Sequence, residues 1–115
     1  MKTGQIDYIE FPVQDVAKAK RFYGDVFAWS FEDYGPDYAS FADGRMSGGF
    51  NAEPPTRPRG SGSLVIIYAT DLEAMEKKVT GAGGKIVRPT FSFPGGRRFH
   101  FADPSGNELA VWSDK

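Results

Sequence analysis

The chain contains no cysteine, which removes disulfides, thiolate nucleophiles and every zinc site that needs sulfur. It has a single histidine, His100, so no metal centre built from several histidines of one chain can form. Neither sign of charge dominates: 14 Lys+Arg stand against 15 Asp+Glu, a formal net charge of −1, and without a basic field there is no nucleic-acid footprint. Long apolar runs are absent too. The longest aliphatic and aromatic stretch, Leu64 to Ala69, is far short of the roughly 18 residues that cross a membrane. The opening Met1-Lys2-Thr3-Gly4-Gln5 leads into an alternating segment rather than the apolar block of a secretory signal. The expectation is a soluble, cytoplasmic protein with no nucleic-acid or membrane partner.

What the chain does have is turn residues and rings: 14 Gly, 8 Pro and 15% aromatics in 115 residues. The Gly and Pro clusters cut it into short pieces, as expected of many strands joined by tight turns. From Ile6 to Val13 the residues alternate, with Ile9, Phe11 and Val13 on one side and Tyr8, Glu10 and Pro12 on the other, the period of a half-buried strand. Pro12 marks its end or an edge. Asp15 then offers a helix N-cap, and Val16, Ala19, Tyr23 and Val26 recur at helical spacing up to about Phe27. Three strand-like pieces follow, Trp29–Tyr34, Tyr38–Ala42 and Met46–Phe50, separated by Gly35-Pro36-Asp37 and Asp43-Gly44.

Beyond a Pro- and Gly-rich stretch from Ala52 to Ser63 the pattern starts again. Leu64–Ala69 reads as a strand, Asp71 as a cap, and Leu72, Met75 and Val79 as the buried face of a second helix that Gly81-Ala82-Gly83-Gly84 ends. Lys85–Pro89, Arg97–Ala102 and Glu108–Trp112 supply three more strands. Asp15 and Asp71 stand 56 residues apart, the offset of an internal repeat. The expected organisation is one domain over 1–115, with a first βαβββ module over 5–51, a linker over 52–63 and a second module over 64–112. Half of this length cannot bury a stable core alone, so the modules must share one. The fold class is α+β: a cup-shaped mixed sheet with the helices on its outer face and the other face left to enclose a pocket.

The order of these motifs resembles one family. Phe11-Pro12-Val13-x-Asp15 with Arg21-Phe22-Tyr23 on the helix that follows, Asp71-Leu72 opening a helix that ends Gly-Ala-Gly-Gly, and a closing Phe101-x-Asp103-Pro104-x-Gly106-Asn107 are similar to the vicinal-oxygen-chelate superfamily. That group contains glyoxalase I, extradiol dioxygenases, and the fosfomycin- and bleomycin-resistance proteins. The resemblance runs from Ile6 to Trp112. It implies paired modules, commonly dimeric, around a cup that in the enzymes holds a divalent metal chelating two adjacent substrate oxygens. Carried over position by position, the family's ligands fall on Tyr8, on Leu64, on Ala110 and within Met46–Phe50, which offers no His, Asp, Glu or Cys. Leu and Ala have no lone pair for a cation. No metal and no other cofactor is therefore expected.

Alternation assigns Tyr8 and Glu10, then Leu64, Ile66 and Tyr68, then Arg98, His100, Ala102, Glu108, Ala110 and Trp112 to the face away from the helices. From these, Tyr8, Glu10, Tyr68, His100, Glu108 and Trp112 are the candidate ligand-binding residues. The aromatics provide stacking area, and His100 with a carboxylate provides a proton-transfer pair. Plainer readings stand beside each: packing for the rings, a half-exposed strand histidine for His100, a solvent-facing carboxylate beside a turn for Glu108, and solvated surface for Arg57, Arg59, Arg97 and Arg98. The expected function is a small-molecule-binding protein of glyoxalase or bleomycin-resistance type that lacks the usual metal ligands, either sequestering a ligand or acting without the metal. Whether it is an enzyme stays open. The alternative is a metal-dependent lyase or dioxygenase-like enzyme using displaced ligands such as Glu10, His100 and Glu108. A homodimer is expected, because sheet edges and an apolar rim call for a symmetric partner.

Overall fold

A computed structural model describes residues 2–56, 58 and 60–115. The first module runs β1 (Tyr8–Pro12), α1 (Val16–Phe27), β2 (Ser30–Asp33), β3 (Tyr38–Ala42) and β4 (Ser47–Asn51). The second runs β5 (Val65–Tyr68), α2 (Leu72–Gly81), β6 (Lys85–Phe93), β7 (Gly96–Ala102) and β8 (Glu108–Ser113). The strand orders are β1-β4-β3-β2 and β5-β8-β7-β6. In each sheet the outer strand pairs in parallel, β1 with β4 and β5 with β8, and the remaining pairs are antiparallel. The cup is thus built from two four-stranded mixed sheets rather than from one continuous ladder.

Both expected caps form. Asp15 accepts from the Lys18 N–H at 3.1 Å, and Asp71 from the Ala74 N–H at 3.0 Å, each satisfying a first-turn donor that the helix leaves unpaired. At the other end of α1, Ala28 takes the left-handed conformation at φ 60 and its N–H returns to the Gly24 carbonyl at 3.0 Å. β6 runs to Phe93, past the end expected at Pro89. It is an edge strand, and register shifts between Ile86 and Arg88 and between Arg88 and Phe91 put extra residues on it. An edge with bulges tolerates a proline that a central strand would reject.

One core serves both modules. Phe11, Phe41 and Phe50 of the first sheet, Phe99, Phe101, Leu109 and Val111 of the second, and the buried faces of α1 and α2 belong to a single apolar cluster. Phe22 of α1 packs on Phe101 of β7 with ring centroids 5.9 Å apart. Tyr23 is completely buried, stacked on Trp29 at 4.7 Å and Phe50 at 5.2 Å, and its hydroxyl donates across the modules to Asp103 Oδ2 at 2.8 Å. Asp103 Oδ1 accepts from the backbone N–H groups of Ser105 and Asn107, both at 2.9 Å. The same turn reaches back to the first module: Gln14 N–H donates to Ser105 Oγ at 2.9 Å, and Asn107 Nδ2 donates to the Pro12 carbonyl at 2.8 Å. The closing Asp-Pro-Ser-Gly-Asn segment is therefore the polar link between modules as well as a hairpin turn.

Burial pushes the Asp103 carboxyl above the ordinary 3.8, outweighing the donors that pull it down, and burial, followed by the Asp103 charge, holds the Tyr23 hydroxyl well above its own usual range. Removing that hydroxyl in Tyr23→Phe leaves the buried carboxylate one donor short, so urea denaturation should show a loss of about 1–3 kcal/mol. A carboxyl whose folded pKa is raised stabilises the fold below its unfolded pKa and loses that contribution as pH rises through its folded value. The stability difference between wild type and Asp103→Asn should therefore shrink as pH rises from the ordinary carboxylate value of 3.8 through the raised one. A difference that is flat across this range contradicts the assignment.

Candidate functional site

With the inner faces merged, the opposite face of each sheet carries the polar and reactive side chains. On the first sheet Phe11 points into the core while Tyr8 and Glu10 stand on the open face. The register places Glu10 beside Gly49 and Pro12 beside Asn51, with Tyr38 next along from Asn51. The Tyr38 phenol lies over Gly49, where a side chain would collide with both the Tyr38 and the Tyr8 hydroxyls. Tyr38 donates to Glu10 Oε2 at 2.9 Å, and Asn51 Nδ2 donates to Glu10 Oε1 at 3.1 Å. The Tyr8 and Tyr38 hydroxyls are 2.5 Å apart; since Tyr38 gives its proton to Glu10, Tyr8 is the donor in that contact. Burial, and then the bonds to Tyr8 and Glu10, raise the Tyr38 hydroxyl far above its usual range, so it remains a donor. Tyr38 and Asn51 are members of this cluster that alternation alone did not select, because their proximity to Glu10 depends on the β1-β4-β3 order.

On the second sheet Phe99, Phe101, Leu109 and Val111 face the core, and His100, Ala110 and Trp112 the open side. Two plain readings fail here. His100 is only 6% exposed because Phe91 of β6 covers it, with ring centroids 5.9 Å apart. Glu108 is half-buried rather than solvent-facing, and its Oε2 meets His100 Nδ1 at 2.8 Å. Tyr68 packs edge-on against Trp112 at 5.2 Å and donates to Asp114 Oδ1 at 2.6 Å. That bond comes first among the causes that raise the Tyr68 hydroxyl and lower the Asp114 carboxyl. Arg97 leaves the site altogether, forming a two-point pair with Glu73 of α2 at 2.6 and 3.2 Å. Arg57 and Arg59 lie outside the described residues.

Between β1 and the β5–β8 pair lies a cavity of about 410 Å³. Glu10 and Glu108 line it, with Asn107 and the apolar Ile9, Leu64 and Leu109. Pro58, Gly60, Ser61, Gly62 and Ser63 of the segment expected to be a linker wall it as well. Of the six candidate ligand residues, Glu10 and Glu108 reach this cavity directly. Tyr8 joins it through Tyr38 and Glu10, and His100 through Glu108, whereas Tyr68 and Trp112 form a separate aromatic pair.

The side chains at the four positions that the resemblance assigns to the family's metal are poor donors for one. Leu64 is hydrocarbon, the Ala110 methyl is fully buried, the Tyr8 hydroxyl is tied to Tyr38, and β4 brings only Ser, Gly, Phe and Asn. Nor do Glu10, His100 and Glu108 gather as replacements: the described residues contain no group of three His, Asp or Glu able to share a cation. No described helix is long and apolar enough to cross a membrane.

The sequence profile of the Glyoxalase/Bleomycin resistance protein/Dioxygenase superfamily matches residues 5–111, and the chain belongs to that superfamily. Among related sequences, the glyoxylase-like domain-containing protein of Didymella fabae is 31% identical over 120-odd positions that cover 94% of this chain and 92% of that one. CFP32 of Mycobacterium tuberculosis is 27% identical over 120 residues, 96% of this chain but 46% of its own. The chain thus spans about half the length of that curated relative. Among solved structures, a glyoxalase-related enzyme from Fulvimarina pelagi superposes with a TM-score of 0.80 at 20% identity, covering 96% of this chain and 88% of that one. At that identity the superposition shows the shared fold.

Neighbouring glycines of β4 separate site from scaffold. A methyl at Gly48 meets the Ile9 carbonyl and the Phe41 ring, whereas one at Gly49 meets the movable phenol ends of Tyr38 and Tyr8. Gly48→Ala should cost about 2–4 kcal/mol by chemical denaturation and Gly49→Ala about 1 kcal/mol or less, the latter through loss of the phenol pair. Equal costs would place Gly49 in the packing rather than in the site.

Proposed function

We propose that the protein binds a small organic molecule at the seam between its two modules, with no metal at the family's usual positions. It then either holds that molecule or assists its reaction through its own side chains. The observation that carries this reading is the cavity with Glu10 and Glu108 in its walls, each carboxylate already oriented by neighbours, Glu10 by Tyr38 and Asn51 and Glu108 by His100. Side chains held in place before the ligand arrives lose little entropy on binding. Two carboxylates beside the apolar Ile9, Leu64 and Leu109 and the polar Ser61, Ser63 and Asn107 favour an amphipathic ligand that brings hydroxyl or ammonium donors. The family match supports the class of function, and the unsuitable donor set supports doing it without the metal.

A second copy of the chain is the proposed partner. Tyr8, Leu64, Ile66 and Tyr68 are exposed large apolar side chains on or beside the edge strands β1 and β5, where a symmetric contact would cover them. A dimeric mass in solution scattering supports this contact, and a monomeric mass at micromolar concentration removes it.

The binding reading is tested by a thermal-shift screen of hydroxylated and amine-bearing small molecules, followed by calorimetry of any hit, since a ligand specific to the folded state raises its apparent stability. Glu10→Gln and Glu108→Gln should each weaken a confirmed ligand by roughly tenfold or more, the loss expected for a charge-assisted hydrogen bond. Hits that bind both variants as tightly as wild type would contradict the seam as the site.

A further inference from the structure

The open face of the second sheet holds polar atoms that the seam does not use. Glu108 occupies His100 Nδ1, but His100 Nε2 is buried with no hydrogen-bond partner, and so is Nε of Arg98, two residues away on the same face of β7. Arg88 stands across from His100 on β6, its guanidinium 3.7 Å from the centre of the Phe91 ring, and the Arg98 guanidinium lies 5.3 Å from the same centre. Neither arginine has a carboxylate within ion-pair distance among the described residues. Buried polar groups in folded proteins are nearly always paired, so two orphans on one face point to a partner that is not part of the chain.

We propose that Arg98, His100 and Arg88 form a subsite for the carboxylate of an aromatic acid. Arg98 Nε–H is a permanent donor. With Nδ1–H given to Glu108, His100 Nε2 donates when the ring is protonated and accepts when it is neutral. Both states suit an acid group: the imidazolium donates to a carboxylate, and the neutral ring accepts from a carboxylic acid. These are one bound species that differs in the position of a single proton. Glu108 balances His100, so the two guanidiniums remain as surplus positive charge facing the anion. The aromatic part follows from the neighbours, because Arg98 is flanked by Phe91 on β6 and Trp112 on β8, and Trp112 by Phe93 at 6.3 Å and Tyr68 at 5.2 Å. These rings provide stacking area beside the charge. Phe91, the ring over His100, follows the second register shift of β6, where the ladder is already broken. The subsite is built from β6, β7 and β8 and touches the seam only through Glu108, which holds His100 Nδ1 and lines the cavity.

The probes are benzoate and its uncharged isostere benzamide, titrated into the wild-type protein by calorimetry. Benzoate should bind saturably and benzamide at least about tenfold more weakly, because the amide can hydrogen-bond to the same two nitrogens but brings no negative charge to the Arg88 and Arg98 guanidiniums. Arg98→Met and His100→Gln should each weaken benzoate by about tenfold or more, while Lys77→Met on the exposed face of α2 should leave it unchanged. No benzoate binding, benzamide binding as tightly, or benzoate affinity indifferent to Arg98 would each overturn the proposal. The benzoate and benzamide comparison needs no variant, so a misfolded His100→Gln does not blunt it. Benzoate failure alongside an intact seam ligand removes this subsite alone.

Discussion

The hydrogen bond from Tyr23 to Asp103 joins the two halves of the molecule at the centre of its core. Tyr23 sits on α1 of the first module and Asp103 at the end of β7 in the second, and both are buried, so neither can turn to water if the other is lost. A buried carboxylate is tolerable only when its oxygens are occupied, and Asp103 meets this by drawing in Tyr23, Ser105 and Asn107. Asn107 in turn holds the end of β1 through the Pro12 carbonyl. This chain of contacts sets how β1 lies against the β5–β8 pair, and hence the width of the cavity between them. The seam and its carboxylates are a consequence of how the core is closed.

Closing the core in this way frees the opposite faces for chemistry, and the two faces use the freedom differently. The first is open, half-exposed and built around an absent side chain at Gly49, over which the Tyr8 and Tyr38 phenols meet. The second is covered by its own rings, with Phe91 over His100 and Trp112 between Tyr68 and Phe93. One sheet therefore offers exposed hydrogen-bonding groups, and the other a buried imidazole beneath half-buried rings, where its contact with Glu108 is less screened by water.

Much of this was legible in the sequence because its determinants are local. Period-two alternation sorted Tyr8 and Glu10 from Phe11, and His100 and Ala110 from Phe99 and Leu109, since each strand buries one face. Asp15 and Asp71 announced both helices through chemistry confined to one turn. What escaped was non-local. Tyr38 and Asn51 reach Glu10 only because β4 lies between β1 and β3, an order that no spacing along the chain reveals. His100 read as half-exposed because its cover comes from Phe91, delivered by irregular pairing beyond a proline that marked the expected end of the strand. The sequence did offer His100 a carboxylate partner across the closing hairpin; the register makes Ala110 its direct neighbour and Glu108 the diagonal one that pairs with it. The linker read as idle because its composition buries nothing, yet its position walls a cavity.

The chain keeps the fold of its superfamily. The positions that the resemblance assigns to the metal carry the Tyr8 phenol, the Leu64 hydrocarbon and the Ala110 methyl, and the proposed function has this fold work through carboxylates, phenols and an imidazole with no cation at those places. The direct test is elemental analysis after equilibrium dialysis of the purified protein against zinc, nickel, manganese and ferrous iron in turn. The account predicts well below one equivalent of each; a full equivalent of any one, lost in Tyr8→Phe, would contradict it.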